Sequence, residues 1–456
     1  VVDPYEPREQ GGDAPSTSDG ECERADRFPA RRLLAPAYRR ILFALQSNCL
    51  PVTLLLSTTF SPIISIYTTD SRCGLSSSAE VLGGRCVRSR CDHSNNSTFT
   101  HPNMSPHRQA LAIQLSRNFD EVCIWAREEA TVAAINDGEN TLYFPGFRLP
   151  ESIKATTNKD AAVSGSDKNE TILVLIVVPT PALEEVVSDL RLDDRHILVS
   201  CTKGILNDTL ETPDAILTRV TGGFQRVAFL SGPSFAKEVA ENQPTVGVDP
   251  LTWTDVPARP DARAHSLFCS QGVTIASRDD AIARTVQSAI STERFRCYTT
   301  DDVVGVELGG ALKNVLAIAT GVSDGLGFGN NARALLMTRG LAEIGLIATT
   351  AGANPLTLSG LAGVGDLILT CTSTLSRNYT VGWRLGKGEA LDVITSSLGA
   401  VAEGVLTSRS AHMLAVKLGV ECPVIAGIHK VIHENGDPLL VLRENMTRPL
   451  KEELLF

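Results

Sequence analysis

The stretch Val303–Ala319 constrains the fold of this chain more than any other, because it is apolar on nearly every side. A helix of this kind has to be buried all round. Lys313 and Asn314 interrupt the apolar run, and a buried ammonium group is costly unless it is paired or shifts toward its neutral form. Gly309 and Gly310 lie one turn earlier. Two interpretations stay open: the glycines allow close packing while Lys313 extends to the surface, or they leave bare backbone for a ligand beside a catalytic lysine.

Composition excludes several classes of partner. The 456 residues, 43% hydrophobic and 21% charged, are typical of a globular protein with two or three domains. A net charge of −10 argues against a nucleic-acid or anionic-membrane partner. The eleven cysteines are odd in number and scattered, which predicts neither a disulfide framework nor a metal site. The apolar run Leu50–Tyr67 is broken by prolines and hydroxyl residues, so we expect no integral membrane span.

The order of strands and helices predicts two domains after a leader. Ile172–Pro179 is a continuous apolar run, typical of a strand buried on both faces of a parallel sheet. Strands and helices alternate over residues 77–300, which indicates a Rossmann-like, doubly wound α/β domain, and residues 301–456 are all helical. Residues 1–76 are either an organelle-targeting leader or disordered or mistranslated sequence.

Two irregular segments interrupt this pattern. Ala79–Gly84 resembles a strand that ends in a glycine turn, and Ala110–Leu115 resembles the helix that should follow. The intervening Arg85–Gln109 is polar and supplies no third glycine for a dinucleotide-binding turn. Asp249–Gly272 is a second segment without periodicity. Our hypothesis is that both segments are retained introns or gene-model errors, and a transcript that encodes both would contradict it.

Candidate site residues follow two predicted strands and lie in the helical half. Lys203 follows the strand Ile197–Ser200, and Gly232–Ser234 follows Val227–Leu230, at strand ends where doubly wound sheets bind ligands. Asp366 suits a helix cap or a partner for a lysine, and Arg377 suits a phosphate clamp. Each has an ordinary alternative: a solvated lysine, a simple turn, a cap or a surface arginine.

Seven motifs follow one another along the chain. They are LYFPG with LPESIKATT (142–157), CTKG (201–204), SGPSFAKE (231–238), GGALKNV (309–315), SDGLGFGNNARALLMTRGLAE (323–343), LAGVGDLILTCTSTLSRN (361–378) and AEG (402–404). In this order they resemble the NAD(P)-dependent glycerol-3-phosphate dehydrogenases of the bacterial and plastid type. The resemblance extends over roughly residues 110 to 435 and is far more specific than a lone glycine motif. It implies that the helical domain is of the 6-phosphogluconate dehydrogenase C-terminal type.

The resemblance also implies roles for individual residues. It makes Lys313 the catalytic acid/base at the substrate oxygen, provided that burial or a positive nicotinamide lowers its pKa. Arg127 matches a basic residue near the adenosine ribose, where a 2′-phosphate would favour NADPH. The implied substrate-binding residues are Lys203, Gly232, Ser234, Asp366, Ser376, Arg377 and Asn378. The implied cofactor-binding residues are Gly83, Gly84, Arg127, Lys203, Ala236, Arg377, Val401 and Glu403.

The expected activity is the interconversion of sn-glycerol 3-phosphate and dihydroxyacetone phosphate with NADPH or NADH, which feeds glycerophospholipid synthesis. Two alternatives stay open: another β-hydroxyacid-type dehydrogenase, or a non-enzymatic relative whose interrupted glycine turn no longer binds the cofactor. We expect a cytoplasmic protein, or a plastid or other organelle protein if residues 1–76 are a targeting segment. The sequence does not decide the oligomeric state, and a homodimer is one of the states left open.

Overall fold

A mostly parallel, eight-stranded sheet forms the first half of the described chain. The computed structural model describes residues 64–67 (backbone only), 106–140, 145–164, 171–241, 271–398, 402–450 and 452, all in one compact unit, Thr59–Phe456. The strands are β1 (Ile64–Tyr67), β2 (Val122–Trp125), β3 (Ile153–Thr156), β4 (Ile172–Ile176), β5 (His196–Ser200), β6 (Val227–Ser231), β7 (Gln271–Ala276) and β8 (Phe295–Thr300). The helices between them are α1 (Pro106–Leu115), α2 (Glu129–Asn136), α3 (Lys159–Val163), α4 (Leu183–Val187), α5 (Pro213–Val220), α6 (Ala236–Glu241) and α7 (Asp280–Ile290).

The strand order is β3-β2-β1-β4-β5-β6-β7-β8, and the first six positions are the order of a doubly wound dinucleotide-binding sheet. Every residue of β4 and β5 is buried, as the continuous apolar run predicts for a central strand. The pairing of β6 with β7 is antiparallel, and β7 and β8 pair in parallel. The predicted Rossmann-like fold is confirmed, with its switch point between β1 and β4.

Three predicted boundaries differ from the structure. The first strand is Ile64–Tyr67, which pairs with β2 and β4 although we assigned it to the leader; the alternative at 79–82 lies outside the described residues. Two short segments of similar strand propensity are told apart only by which one finds partners in the sheet. Helix α1 begins at Pro106, inside the segment 85–109, because a proline suits the first helical position. Strand β7 begins at Gln271, inside 249–272, because its ladder with β8 extends to that residue.

The second half is helical, and the central helix α8 (Val303–Gly325) organises it. This helix is long and apolar enough to cross a membrane by length and composition, but 94% of its apolar window is buried inside the unit, as in a core helix. The other helices pack around it or around one another. They are α9 (Asn330–Thr350), α10 (Asp366–Thr372), α11 (Arg377–Gly386), α12 (Leu391–Ser397), α13 (Glu403–Leu418), α14 (Pro423–His433) and α15 (Pro438–Met446).

Helices α8 and α11 touch backbone to backbone through glycines on both sides, a contact that we call the glycine crossing. A Cβ on Gly382 of α11 would lie 2.0 Å from the carbonyl oxygen of Ile318, and one on Gly321 of α8 would lie 2.2 Å from that of Tyr379. Gly325 and Gly386 are as tightly enclosed one turn further on. No side chain fits between the two helices, so the first turn of α11 lies close to α8.

Candidate active site

Lys313 lies on α8, the helix with the longest buried stretch, and its side chain stays inside the protein. Lys313 is 6% exposed, so the alternative in which it extends to the surface is wrong. The two preceding glycines serve packing instead of exposing bare backbone to a ligand. A Cβ on Gly309 would lie 2.9 Å from the carbonyl oxygen of Ala362, and one on Gly310 would lie 2.6 Å from Ser231 Oγ. The glycines therefore let α8 approach the sheet and the turn before α10, which brings Lys313 to the strand ends.

Asp366 joins the two lysines of the site. Lys313 Nζ donates to Asp366 Oδ1 at 2.6 Å, and Lys203 Nζ donates to Asp366 Oδ2 at 2.9 Å. Lys313 Nζ also donates to Thr370 Oγ1 at 2.8 Å, and that hydroxyl donates to the backbone carbonyl oxygen of Asp366 at 2.6 Å. An ammonium group has three N–H donors, so one remains on Lys313 for a substrate oxygen. Asp366 is thus a lysine partner and not a helix cap, and Lys203 is ion-paired, not solvated.

The Asp366 carboxylate is shared by the ammonium groups of Lys203 and Lys313, and the surroundings of each determine which of the two loses its proton more easily. Burial lowers the pKa of Lys313 to about 8; Asp366 opposes the shift and the charge of Lys203 reinforces it. Burial by itself would lower the pKa of Lys203, but Asp366 raises it above the usual value. Burial would also raise the pKa of Asp366, but the two lysines hold it below its usual range. Near neutral pH, Lys203 and Asp366 therefore stay charged and Lys313 is the group that titrates.

Ser376, Arg377 and Asn378 form a polar turn at the start of α11. Ser376 caps the helix by accepting from the Tyr379 backbone N–H at 3.3 Å. Asn378 Oδ1 accepts from the Gly404 backbone N–H at 2.9 Å, which leaves the amide N–H₂ group of Asn378 to donate elsewhere. Arg377 is half-buried, and its guanidinium group makes no hydrogen bond or ion pair to the described residues. A helix start with a free guanidinium and a free amide donor suits a phosphate group.

One cavity contains most of the predicted site residues. It is lined from the sheet side by Lys203, Gly232 and Ser234, at the carboxyl ends of β5 and β6. Lys313, Asp366, Ser376, Arg377, Asn378 and Glu403 line it from the helical side. Its remaining walls are mostly apolar: Leu111, Val177, Val178, Pro179, Cys201, Leu230, Phe235 and Leu375.

The cavity walls fit the nicotinamide end of a dinucleotide. Val177 and Val178 follow β4, beside the switch point where doubly wound sheets bind dinucleotides. An apolar wall next to two lysines suits a flat ring on one side and an anionic substrate on the other. Asn314 Nδ2 donates to Glu403 Oε2 at 3.3 Å, which ties the start of α13 to α8 at this end of the cavity.

Several predicted cofactor-binding residues lie elsewhere. Arg127 follows β2 and pairs with Glu185 at 2.5 Å on the surface, so a ribose phosphate would have to compete with that carboxylate. Ala236, the first residue of α6, is buried in the apolar core next to the cavity residue Phe235 and does not line the cavity. Val401, Gly83 and Gly84 lie outside the described residues.

Sequence reasoning missed two polar residues of the cavity. Thr370 belongs to the motif at 361–378 and lies four residues after Asp366, hence on the same helix face, which is the signal that could have found it. Asn314 was noted only as a polar residue in an apolar helix. It follows Lys313 directly, and a buried amide needs partners, so that burial was the signal for a place at the site.

Comparison with known proteins gives the same family from the sequence and from the fold. A profile for the NAD-dependent glycerol-3-phosphate dehydrogenase C-terminus matches residues 302–443, and the N-terminal profile matches residues 108–249. Glycerol-3-phosphate dehydrogenase [NAD(P)+] of Myxococcus xanthus is 45% identical over 350 residues, 76% of this chain and 95% of that protein. The same enzyme of Syntrophotalea carbinolica is 43% identical over 349 residues, 75% of this chain and 96% of its own.

A solved structure supports the same family assignment. Glycerol-3-phosphate dehydrogenase from Coxiella burnetii superposes with a TM-score of 0.68 at 31% identity, covering 86% of this chain and all of that one (100%). These matches cover both halves of the described chain and include the residues around Lys313. The chain therefore belongs to the NAD-dependent glycerol-3-phosphate dehydrogenase family of oxidoreductases.

Proposed function

We propose that this chain interconverts sn-glycerol 3-phosphate and dihydroxyacetone phosphate with NADPH or NADH. The observation that carries the proposal is the pairing of two subsites in one cavity. One holds a titratable lysine buried beside Asp366, and the other is a helix start with the unpaired Arg377. The first suits proton transfer at a carbonyl oxygen and the second suits the phosphate of the same small substrate.

The residues of the chain account for binding, orientation and proton transfer. Arg377 and Asn378 hold the phosphate, and Lys203 adds a second positive charge from the sheet side. When bound, the nicotinamide cofactor exchanges a hydride with the carbon that bears the substrate oxygen. In the direction of ketone reduction, Lys313 donates a proton to that oxygen as the C=O bond becomes an alcohol. Thr370 and Asp366 fix the ammonium group so that its third N–H points away from them.

The test is a steady-state assay with paired substrates. We expect oxidation of NADPH or NADH with dihydroxyacetone phosphate, and little with dihydroxyacetone, which lacks the phosphate. Equal rates with the two ketones, or activity with keto acids only, would favour another β-hydroxyacid dehydrogenase. The chain is assayed beside a version that lacks residues 85–105, which keeps helix α1 whole, and that has the glycine turn restored. If only the restored version is stabilised by cofactor in a thermal-shift measurement, the chain as written is a cofactor-impaired relative.

The pH dependence should follow Lys313. Ketone reduction needs the ammonium form, so kcat/KM should fall with rising pH above about 8, the pKa to which burial lowers this lysine. Alcohol oxidation needs the neutral amine, so its kcat/KM should rise with pH and level off above the same value. Measurement from about pH 7 to 9.5 keeps the substrate phosphate dianionic. Parallel profiles in the two directions would contradict the role of Lys313.

Assembly and location stay predictions. Neither a homodimer nor import into an organelle is tested by the described residues, and residues 1–63 lie outside them.

The preference between NADPH and NADH depends in this proposal on whether Arg127 exchanges Glu185 for a ribose phosphate. Comparing kcat/KM for the two cofactors in the parent and in Arg127→Ala decides that point: only the NADPH value should fall.

A further inference from the structure

A hydrogen-bonded cluster outside the cavity connects three helices of the second half. Asp324 lies in the last turn of α8, Arg333 in the first turn of α9 and Tyr379 in the first turn of α11. Tyr379 donates its hydroxyl hydrogen to Asp324 Oδ2 at 2.6 Å, and Arg333 Nε donates to the same oxygen at 2.8 Å. None of the three lines the cavity, but Tyr379 directly follows Asn378.

Two members of the cluster are buried and Arg333 is 27% exposed, and the charges keep the cluster intact over the working pH range. The side chain of Asp324 is 8% exposed and Tyr379 is 7% exposed. Burial, with the nearby Asp324 carboxylate, raises the pKa of Tyr379 to about 12, so its hydroxyl stays protonated and keeps donating. The hydrogen bond to Asp324 raises the pKa of Arg333, which stays charged beside the carboxylate. A short hydrogen bond to a carboxylate is among the stronger ones in proteins.

The glycine crossing leaves the orientation of α11 to be set by something else. Glycines let the two backbones touch, but they have no side chains that interlock and fix the rotation of one helix about its axis. The bond from Tyr379 to Asp324 adds such a restraint between the two crossing helices. It acts beside the bond from the Gly404 backbone N–H, which ties Asn378 to the start of α13. Consecutive helical residues point about 100° apart. Fixing the direction of Tyr379 therefore fixes the direction of Asn378 and of Arg377.

We propose that Asp324, held by Arg333, is a positioning residue that orients the polar turn Ser376–Asn378 through the hydroxyl of Tyr379. The inference rests on the proposed function, which assigns the substrate phosphate to this turn. Loosening the bond lets α11 rotate at the glycine crossing and misdirects the phosphate contacts. Proton transfer from Lys313 is untouched, because α8 and α10 hold that lysine without help from α11.

The variant Tyr379→Phe tests this, because it removes one hydroxyl and keeps the buried ring. The KM for dihydroxyacetone phosphate should rise about tenfold or more, the size expected for a lost hydrogen bond to a charged group. kcat should stay within about twofold, and the KM for the nicotinamide cofactor should not change. Asp324→Asn, which keeps an acceptor for the hydroxyl, should give a smaller rise than Asp324→Ala. Tyr298→Phe is the matched control, since Tyr298 is 52% exposed on β8 and should change nothing.

A second readout does not need turnover. Inorganic phosphate should raise the thermal midpoint of the parent chain and of Tyr298→Phe, and it should raise that of Tyr379→Phe much less. A lower midpoint for Tyr379→Phe without ligand, with the KM and the phosphate-dependent rise both unchanged, would mean a purely structural role and overturn the inference. So would a parent chain that phosphate does not stabilise. If the parent is stabilised by phosphate but does not reduce dihydroxyacetone phosphate, the proposed function fails, and the comparison of the variants still decides the inference.

Discussion

Replacing Lys313 by methionine should lower kcat by about three orders of magnitude, within the range of about 10²–10⁴ typical of a lost general acid. Methionine nearly preserves the buried volume but carries no proton. The fold should tolerate the change, because Asp366 keeps Lys203 as its partner. The free energy of unfolding should fall by roughly 1–3 kcal/mol, because Asp366 Oδ1 and Thr370 Oγ1 lose their donor. The remaining pair between Asp366 and Lys203 should keep the loss below the about 3–5 kcal/mol typical of a buried charge left without any partner. Steady-state kinetics and a denaturant titration measure the two quantities on the same preparation.

The matched control is Lys417→Met, which removes an exposed lysine of α13 that lies outside the cavity. It should keep both the parent kcat and the parent stability. A Lys313→Met enzyme with kcat within about tenfold of the parent would show that another group delivers the proton. A variant that is unfolded would leave its kinetics uninformative, and Lys313→Arg then takes its place. Arginine keeps the positive charge, but its pKa is too high to release a proton near pH 8, so it should also be inactive.

Replacing Gly382 by alanine should destabilise the helical half strongly. The added Cβ would lie 2.0 Å from the carbonyl oxygen of Ile318 and 2.9 Å from the backbone nitrogen of Val322, so the backbones of α8 and α11 have to separate. Overpacking of this kind costs typically about 1–3 kcal/mol and more where backbone must move, so we expect a loss of about 3 kcal/mol or greater. The midpoint of denaturant unfolding measures the loss.

Gly329→Ala is the control for this substitution. Gly329 precedes α9 with an extended backbone, and a Cβ there meets nothing within 4 Å. Its midpoint should stay near that of the parent. A Gly382→Ala protein as stable as the parent would show that the two helices have room to move apart. If Gly382→Ala is as stable as the parent but has a raised KM for dihydroxyacetone phosphate, α8 and α11 have separated and the phosphate-binding turn at the start of α11 has moved.

The fold could be predicted from the hydrophobic patterns of the sequence, whereas the site could be predicted only in part. The apolar runs of β4 and α8 are long enough to predict a buried parallel strand and a buried helix, and both are confirmed. The boundary of β1 was not predictable in this way, because four residues become a strand only through pairing with β2 and β4.

Contacts between distant residues were harder to predict. The bond between Lys203 and Asp366 joins residues 163 apart, and no spacing rule places them together. The glycines of α8 show why: Gly310 and Gly321 look alike in sequence, but one faces Ser231 and the other the backbone of α11. Which neighbour a glycine admits is decided by tertiary packing. Local spacing could have placed Thr370, which follows Asp366 by four residues in one helix, but this residue was missed.

The shared carboxylate makes the acidity of Lys313 depend on how close the two halves of the chain are. Lys203 comes from the loop after β5, whereas Lys313 and Asp366 come from the helical half. If the halves move apart, water reaches Lys313 and removes the burial that lowers its pKa most, and the repulsion of Lys203 is lost as well, so both changes raise the pKa. Lys313 is therefore a good proton donor near pH 8 only in the arrangement seen here, where the two halves together bury it beside Lys203.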